Sequence, residues 1–183
     1  VIDGRRLIDV HLHPARLAGL KLPWDVWVQS YDSPDLRALY HADGVVDPVV
    51  FDEYLADQGV DVAVVLAEYS PRVTGTQAVE DFAPLVEHNP ARIRFAANVN
   101  PHVHFPVDEE LNRQLALGAV ALKVHPVHGG FAANDRALYP AYAICQDRRV
   151  PVVVPWRPPT SPGARNRVRA TAPPAGRETG AGG

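Results

Sequence analysis

Short β-rich runs alternate with helical stretches between residues 6 and 154, and this alternation constrains the fold more than any other feature. Five runs can be recognised, and apolar residues occupy consecutive positions in the one that ends at Leu66. Such continuous runs are typical of parallel strands covered on both faces. The pattern predicts an α/β fold in which helices connect parallel strands. The five predicted strands cover residues 6–12, 60–66, 93–99, 119–124 and 150–154.

Helix boundaries between these runs are marked by prolines, glycines and side chains that can cap a helix. Asp47-Pro48 opens the first predicted helix, Gly59 ends it, and Pro140 marks the regular part of the last one. The segment 15–46, which contains several aromatic residues, is interpreted as an insertion over the mouth of the sheet. The predicted helices cover residues 49–58, 76–88, 108–117 and 134–148.

The charge and cysteine content limit the classes of partner. The chain has 18 Lys and Arg against 21 Asp and Glu, a net charge of -3, and these charges are interspersed. We therefore expect a small-molecule partner rather than a nucleic acid or a membrane. The single cysteine, Cys145, is interpreted as a buried helical residue, and it favours a cytoplasmic location.

The first predicted strand ends in Asp9-Val10-His11-Leu12-His13-Pro14. Side chains two residues apart share one face of a strand, so His11 and His13 are expected to converge. A divalent cation can use both imidazoles as ligands, and a hydrogen-bonded structural pair is the alternative. Asp9 could orient one of the rings or cap a nearby loop.

The fourth predicted strand carries polar groups at its end, in the sequence Ala121-Leu122-Lys123-Val124-His125. A charged residue in such a run is costly unless it is paired or functional. Lys123 is expected to bind a substrate carboxylate or, if carbamylated, a metal, and a salt bridge is the alternative. His125 is a candidate proton carrier, a further metal ligand or a substrate contact, and a hydrogen bond to the following loop is the alternative. His128, in a loop expected to be flexible, is a weaker substrate-binding candidate.

Further polar residues follow the third and second predicted strands. Asn100 fits the wall of the same pocket and is a candidate substrate-binding residue. His102 and His104 form a second His-x-His pair, which we expect to lie exposed on the surface. Glu68 could face the pocket, but a solvated loop carboxylate is the favoured interpretation.

These candidates belong together because chemistry in parallel α/β barrels gathers at the carboxyl ends of the strands. No glycine-rich dinucleotide motif, P-loop or serine-hydrolase elbow occurs in the sequence. The combined pattern therefore favours a metal site over these three chemistries.

The motifs around His11, Lys123 and Tyr139 together resemble the amidohydrolase-related family of metal-dependent barrels, over about residues 6–154. The resemblance implies a partial (β/α)8 TIM barrel with about five of its eight strands, and a zinc-like divalent metal held by His11 and His13. It implies a hydrolase acting on a small carbonyl- or carboxylate-containing substrate, or a nonoxidative decarboxylase. A catalytically silent fragment that only binds a ligand or partner is the alternative of another class.

The tail from 155 to 183 departs from this pattern, since it contains no Leu, Ile, Phe or Tyr. The family's usual histidine after the fifth strand is absent, yet residues 161–167 resemble the family again. A reading-frame slip explains both observations, and a genuine irregular tail is the alternative. The domain boundary is therefore expected near 154. Three strands would be missing, and the open edges would favour association with another copy of the chain.

Overall fold

The computed structural model describes residues 4–22, 24, 26 and 34–155. Five parallel strands form one sheet in the order β1-β2-β5-β6-β7, and β3 pairs with β4 in a separate antiparallel hairpin. The sheet curls into half of a barrel, so the predicted partial barrel is confirmed. The strands are β1 (Ile8–Leu12), β2 (Val62–Leu66), β3 (Glu68–Ser70), β4 (Gly75–Gln77), β5 (Ile93–Asn98), β6 (Ala121–Lys123) and β7 (Val152–Val153).

Six α-helices lie among the described residues, together with short 3-10 turns. None of these helices is long and apolar enough to cross a membrane. The helices are α1 (Pro34–Ala38), α2 (Pro48–Asp57), α3 (Ala83–His88), α4 (Val107–Ala116), α5 (Pro126–Gly129) and α6 (Tyr139–Arg148).

Two helix starts occur where the sequence predicts them. The Asp47 side chain accepts hydrogen bonds from the backbone N–H groups of Val49 and Val50, which satisfies two free donors at the start of α2. Asp135 similarly accepts from Ala137 and opens a 3-10 turn. Pro140 then lies in the first turn of α6, where its missing N–H costs no hydrogen bond.

The helix predicted over 76–88 is wrong in its first half. Gly75–Gln77 forms β4, and a 3-10 turn at Val79–Phe82 precedes the shorter helix α3. The close approach of Gly75 to Gly19 explains the glycine, because a Cβ at position 75 would lie 2.1 Å from the Gly19 carbonyl oxygen. The hairpin thereby docks against the segment that follows β1.

Side-chain alternation divides the sheet into two faces. On β2, Ala63 and Val65 pack into the helix-covered core, as does Ala67 just after the strand, whereas Val64 and Leu66 belong to a small apolar cluster on the other face. Ala96 and Ala121 from the neighbouring strands complete that second cluster. The interior face is therefore lined by small side chains, and its polar residues begin where the strands end.

The outer strands of the described sheet keep apolar side chains in solvent. Ile8 and Val10 on β1 are 53% and 54% exposed, and Val152 and Val154 at the other edge are also exposed. These faces are apolar although no described element covers them. The expected association with another copy of the chain remains a prediction.

Leu122 tests the helix-covered core, because it is fully buried in the cluster that joins β6 to α4 and α6. We predict that Leu122→Ala lowers the free energy of unfolding by about 2–5 kcal/mol, through lost burial and the cavity left behind. Leu117→Ala is the matched control, since Leu117 is 54% exposed, and should change stability by less than about 0.5 kcal/mol. Urea unfolding measures both values, and equal losses would contradict this account of the core.

Candidate active site

Glu68 occupies the centre of a polar cluster at the carboxyl ends of the strands. It is the first residue of β3, which a single residue separates from the end of β2. It continues the interior face of Val64 and Leu66. The residue is only 5% exposed, so its interpretation as a solvated loop carboxylate is wrong. The alternation of strand β2 was the signal that could have placed it correctly.

Both carboxylate oxygens of Glu68 have defined surroundings. Oε1 accepts a hydrogen bond from Ser70 Oγ at 2.5 Å, lies 3.4 Å from Thr74 Oγ1, and lies 3.3 Å from His128 Nδ1. Oε2 lies 3.5 Å from the Lys123 ammonium but accepts no hydrogen bond from the described residues. Oε1 therefore has three polar neighbours, whereas Oε2 is buried without a hydrogen bond.

Two asparagines from β5 and its end fix the backbone next to Glu68. Asn98 Oδ1 accepts from the Tyr69 N–H at 3.1 Å, and Asn98 Nδ2 donates to the Lys123 carbonyl at 3.1 Å. Asn100 Nδ2 donates to the Tyr69 carbonyl at 2.7 Å. Both the N–H and the carbonyl group of Tyr69 are thus hydrogen-bonded to asparagines. These two bonds fix β3 and orient Glu68.

Lys123 connects Glu68 to the end of β1. Its side chain is 1% exposed, and its Nζ lies 3.5 Å from Glu68 Oε2 and 3.0 Å from His13 Nε2. Burial lowers the pKa of Lys123, whereas the Glu68 carboxylate opposes that shift. Lys123 therefore forms the salt bridge that was the alternative interpretation, and its Nζ also reaches His13, whereas its predicted contact with a substrate carboxylate or a metal stays a prediction.

The rings of His11 and His13 lie edge to face, with centroids 5.2 Å apart. The register of β1 against β2 shifts between Asp9 and Leu12. The advance of three residues from Asp9 to Leu12 on β1 matches an advance of two residues, from Ala63 to Val65, on β2. This bulge interrupts the regular alternation expected for the strand. The two rings nevertheless stay adjacent, and Asp9 Oδ1 accepts from the His11 backbone N–H at 2.9 Å.

His125 and His128 stack with ring centroids 3.7 Å apart and an angle of 9° between their planes. His125 precedes α5, and the three-residue spacing places His128 above it on the same side of this helical turn. The prediction of a flexible loop around His128 is therefore wrong, because Pro126–Gly129 is helical. Trp24, from the segment interpreted as an insertion, lies 5.7 Å from the His128 ring.

Electrostatics favours neutral His13 and His125 and a charged Glu68 in this cluster. Burial lowers the pKa of His125 to about 4; the Glu68 carboxylate opposes this shift, whereas the Lys123 ammonium adds to it. Burial and the Lys123 ammonium also lower the pKa of His13, although that residue is exposed as a whole. Burial alone would raise the pKa of Glu68, but contacts with His128, His125, Lys123 and Ser70 lower it to about 2.

Three donors in this cluster are close enough to hold one ion. Glu68, His125 and His128 each offer a ligand atom, and these atoms all lie within 4.8 Å of one another. Carboxylate oxygen and neutral imidazole nitrogen are both zinc ligands. The site therefore contains two ligand-capable groups, the His11–His13 pair and this set of three.

The remaining predicted residues lie at the margin of the cluster. Asn100 is buried, and both ends of its amide bond to the backbone, with Oδ1 accepting from His102 N–H. His102 is exposed as expected, but His104 is half-buried and packs edge to face on Tyr69. The surface-pair prediction is thus wrong for His104. Trp27 and Tyr31, two aromatic residues of the segment interpreted as an insertion, lie outside the described residues.

The fold and the polar cluster at the carboxyl ends of the strands define a class of protein. This class is the parallel α/β barrels, which carry their polar groups at those strand ends. An uncharacterized TIM-barrel protein from Bordetella bronchiseptica aligns with a TM-score of 0.58 and 20% identity, over 82% of this chain and 55% of that one. The 4-oxalomesaconate hydratase of Rhodopseudomonas palustris aligns with a TM-score of 0.50 and 18% identity, over 81% and 51%. The chain thus spans about half the length of these structures.

The sequence comparison adds the family. A family model described as amidohydrolase matches residues 8–175, and the chain belongs to this family. The matched region extends beyond residue 154 and includes the segment 161–167. None of the curated proteins compared with the chain matches it.

The buried pair of Glu68 and Lys123 predicts non-additive mutations. Glu68→Leu or Lys123→Met alone should each lower the free energy of unfolding by about 3–5 kcal/mol, because each leaves an uncompensated buried charge. The double variant should lose clearly less than the sum. Urea unfolding of the four proteins measures this coupling, and additivity within about 0.5 kcal/mol would contradict it.

The lowered histidine pKa values predict a loss of stability in mild acid. A group whose pKa is lower in the folded chain stabilises it above the unfolded value of 6.5, and this contribution is lost as the pH falls toward the folded value. Urea midpoints should therefore decrease between pH 7 and pH 4. His125→Gln should flatten this dependence, and His102→Gln is the matched control at an exposed histidine. If the urea midpoint instead rises as the pH falls from 7 to 4, the assignment of lowered histidine pKa values is wrong.

Proposed function

We propose that this chain is part of a metal-dependent hydrolase that acts on a small carbonyl- or carboxylate-containing substrate. Family membership supports enzymatic activity of the hydrolase type. The observation that carries the proposal is the convergence of Lys123, Glu68 and histidines from separate strand ends in one cluster. A buried lysine in such a place is expensive unless it is paired or functional.

The His11–His13 pair fits a divalent ion, and zinc is the metal proposed. The family is generally metal-dependent, and the adjacent rings present two nitrogen donors of the type zinc prefers. Burial lowers the pKa of both histidines, which keeps their lone pairs available near neutral pH. When bound, a divalent ion supplies a Lewis acid for a substrate oxygen and for water.

The protein side chains supply positioning and proton transfer. Lys123, fixed between Glu68 and His13, presents a positive charge to a substrate carboxylate or carbonyl oxygen. His125 is neutral at pH 7 and can accept a proton at its ring. His128 and Asn100 are proposed to contact the substrate. The contacts of Asn100 with the backbone also support a positioning role.

Two other functions are distinguished by their products and by metal binding. A nonoxidative decarboxylase of the same family would release carbon dioxide, whereas a hydrolase would release a hydrolysed acid. A catalytically silent fragment would bind a ligand or another subunit without turnover. The half-length match to solved structures makes this last alternative worth testing.

The test combines metal content with turnover. We expect the purified chain to retain zinc, to turn over small carboxylated substrates, and to lose activity when a chelator removes the metal. His11→Ala with His13→Ala should remove at least one zinc per chain, whereas His102→Ala, at an exposed histidine, should not. Unchanged zinc content in the double variant would disprove the ligand assignment. Zinc binding without turnover would favour the silent fragment.

A further inference from the structure

Glu68, His125 and His128 form a compact set of donors that the predicted metal pair does not use. Their ligand atoms lie within 4.8 Å of one another, and Glu68 Oε1 is already 3.3 Å from His128 Nδ1. Zinc bonds of about 2.0–2.2 Å in a tetrahedral site place ligand atoms roughly 3.4 Å apart. Side-chain movements of about 1 Å would therefore bring all three donors to one ion.

The Oε2 oxygen of Glu68 is an independent sign that the carboxylate can take a further ligand, since it is buried and forms an ion pair with Lys123 but no hydrogen bond. Glu68 is 95% buried, yet its Oε2 accepts no hydrogen bond from the described residues. Lys123 Nζ is near it at 3.5 Å, without forming a hydrogen bond. A buried acceptor of this kind is costly unless something else binds it.

The backbone segments that carry these donors are held in place before any ion arrives. Asn98 and Asn100 fix the backbone of β3 beside Glu68, and the helical turn α5 fixes the stacked rings of His125 and His128. All three donors come from residues 68–128, within the described part of the barrel. The backbone positions of the donors are therefore preorganised, which suits a metal site, and only the side chains have to turn toward the ion.

Lys123 separates these donors from the pair on β1. Its Nζ contacts His13 on one side and Glu68 on the other, at 3.0 and 3.5 Å. We propose that Glu68, His125 and His128 form a second divalent-cation site, distinct from the His11–His13 site and suited to zinc. An ion at this site would make His125 and His128 ligands in place of the proton-accepting and substrate-contacting roles proposed above, whereas the proposed hydrolysis rests on the His11–His13 ion and is tested separately.

The experiment removes the β1 pair first. A chain carrying His11→Ala and His13→Ala is stripped with a chelator and titrated with Zn²⁺ against a chromophoric competitor. We expect it to retain one zinc ion. Adding either Glu68→Gln or His128→Ala should then weaken this binding at least tenfold, whereas adding His102→Ala should leave it unchanged.

Each result decides between the two sites. If the β1 double variant binds no zinc, or if Glu68→Gln and His128→Ala leave its zinc affinity unchanged, the second site is wrong. If the β1 double variant binds as much zinc as the original chain and loses it on His128→Ala, the second site stands and the His11–His13 assignment fails. Circular dichroism confirms folding, and His128→Ala preserves the Glu68–Lys123 ion pair should Glu68→Gln destabilise the chain.

Discussion

The buried ion pair between Glu68 and Lys123 is the constraint on which the polar cluster depends. Two charges with side chains 7% and 1% exposed remain in a protein only if each has a partner and further hydrogen bonds. Ser70 and His128 satisfy one carboxylate oxygen, and Lys123 reaches His13 with the same ammonium that faces Glu68. The pair thereby ties β3, β6 and the end of β1 to one another.

The curvature of the sheet explains why this pair can exist. Interior positions before the strand ends carry small or aliphatic groups, such as Ala96, Ala121 and Leu66, so the interior face is apolar until the carboxyl edge. At that edge the same alternation brings Glu68, Asn98 and Lys123 together. The backbone register between β5 and β6, which pairs Asn98 with Lys123, sets two of these positions directly.

The five parallel strands and the starts of two helices could be predicted from the sequence, because continuous apolar runs and capping residues are local signals. The burial of Glu68 was missed, because it also depends on the hairpin β3–β4, which pairs through backbone bonds and lacks an apolar pattern. The alternation of β2 was the one sequence signal that pointed Glu68 to the interior face. The bulge in β1 was also hidden, since it arises from pairing with β2. The convergence of Lys123 with the β1 histidines required only the strand-end rule and was predictable.

The hydrogen bonds of Asn98 and Asn100 limit which residues can replace them. Each amide donates through its nitrogen and accepts through its oxygen at the same time, and each does so with backbone groups. Aspartate is isosteric but has no donor when ionised, and it would add a negative charge beside a carboxylate already in place. Positions 98 and 100 therefore require a short neutral side chain that can both donate and accept a hydrogen bond.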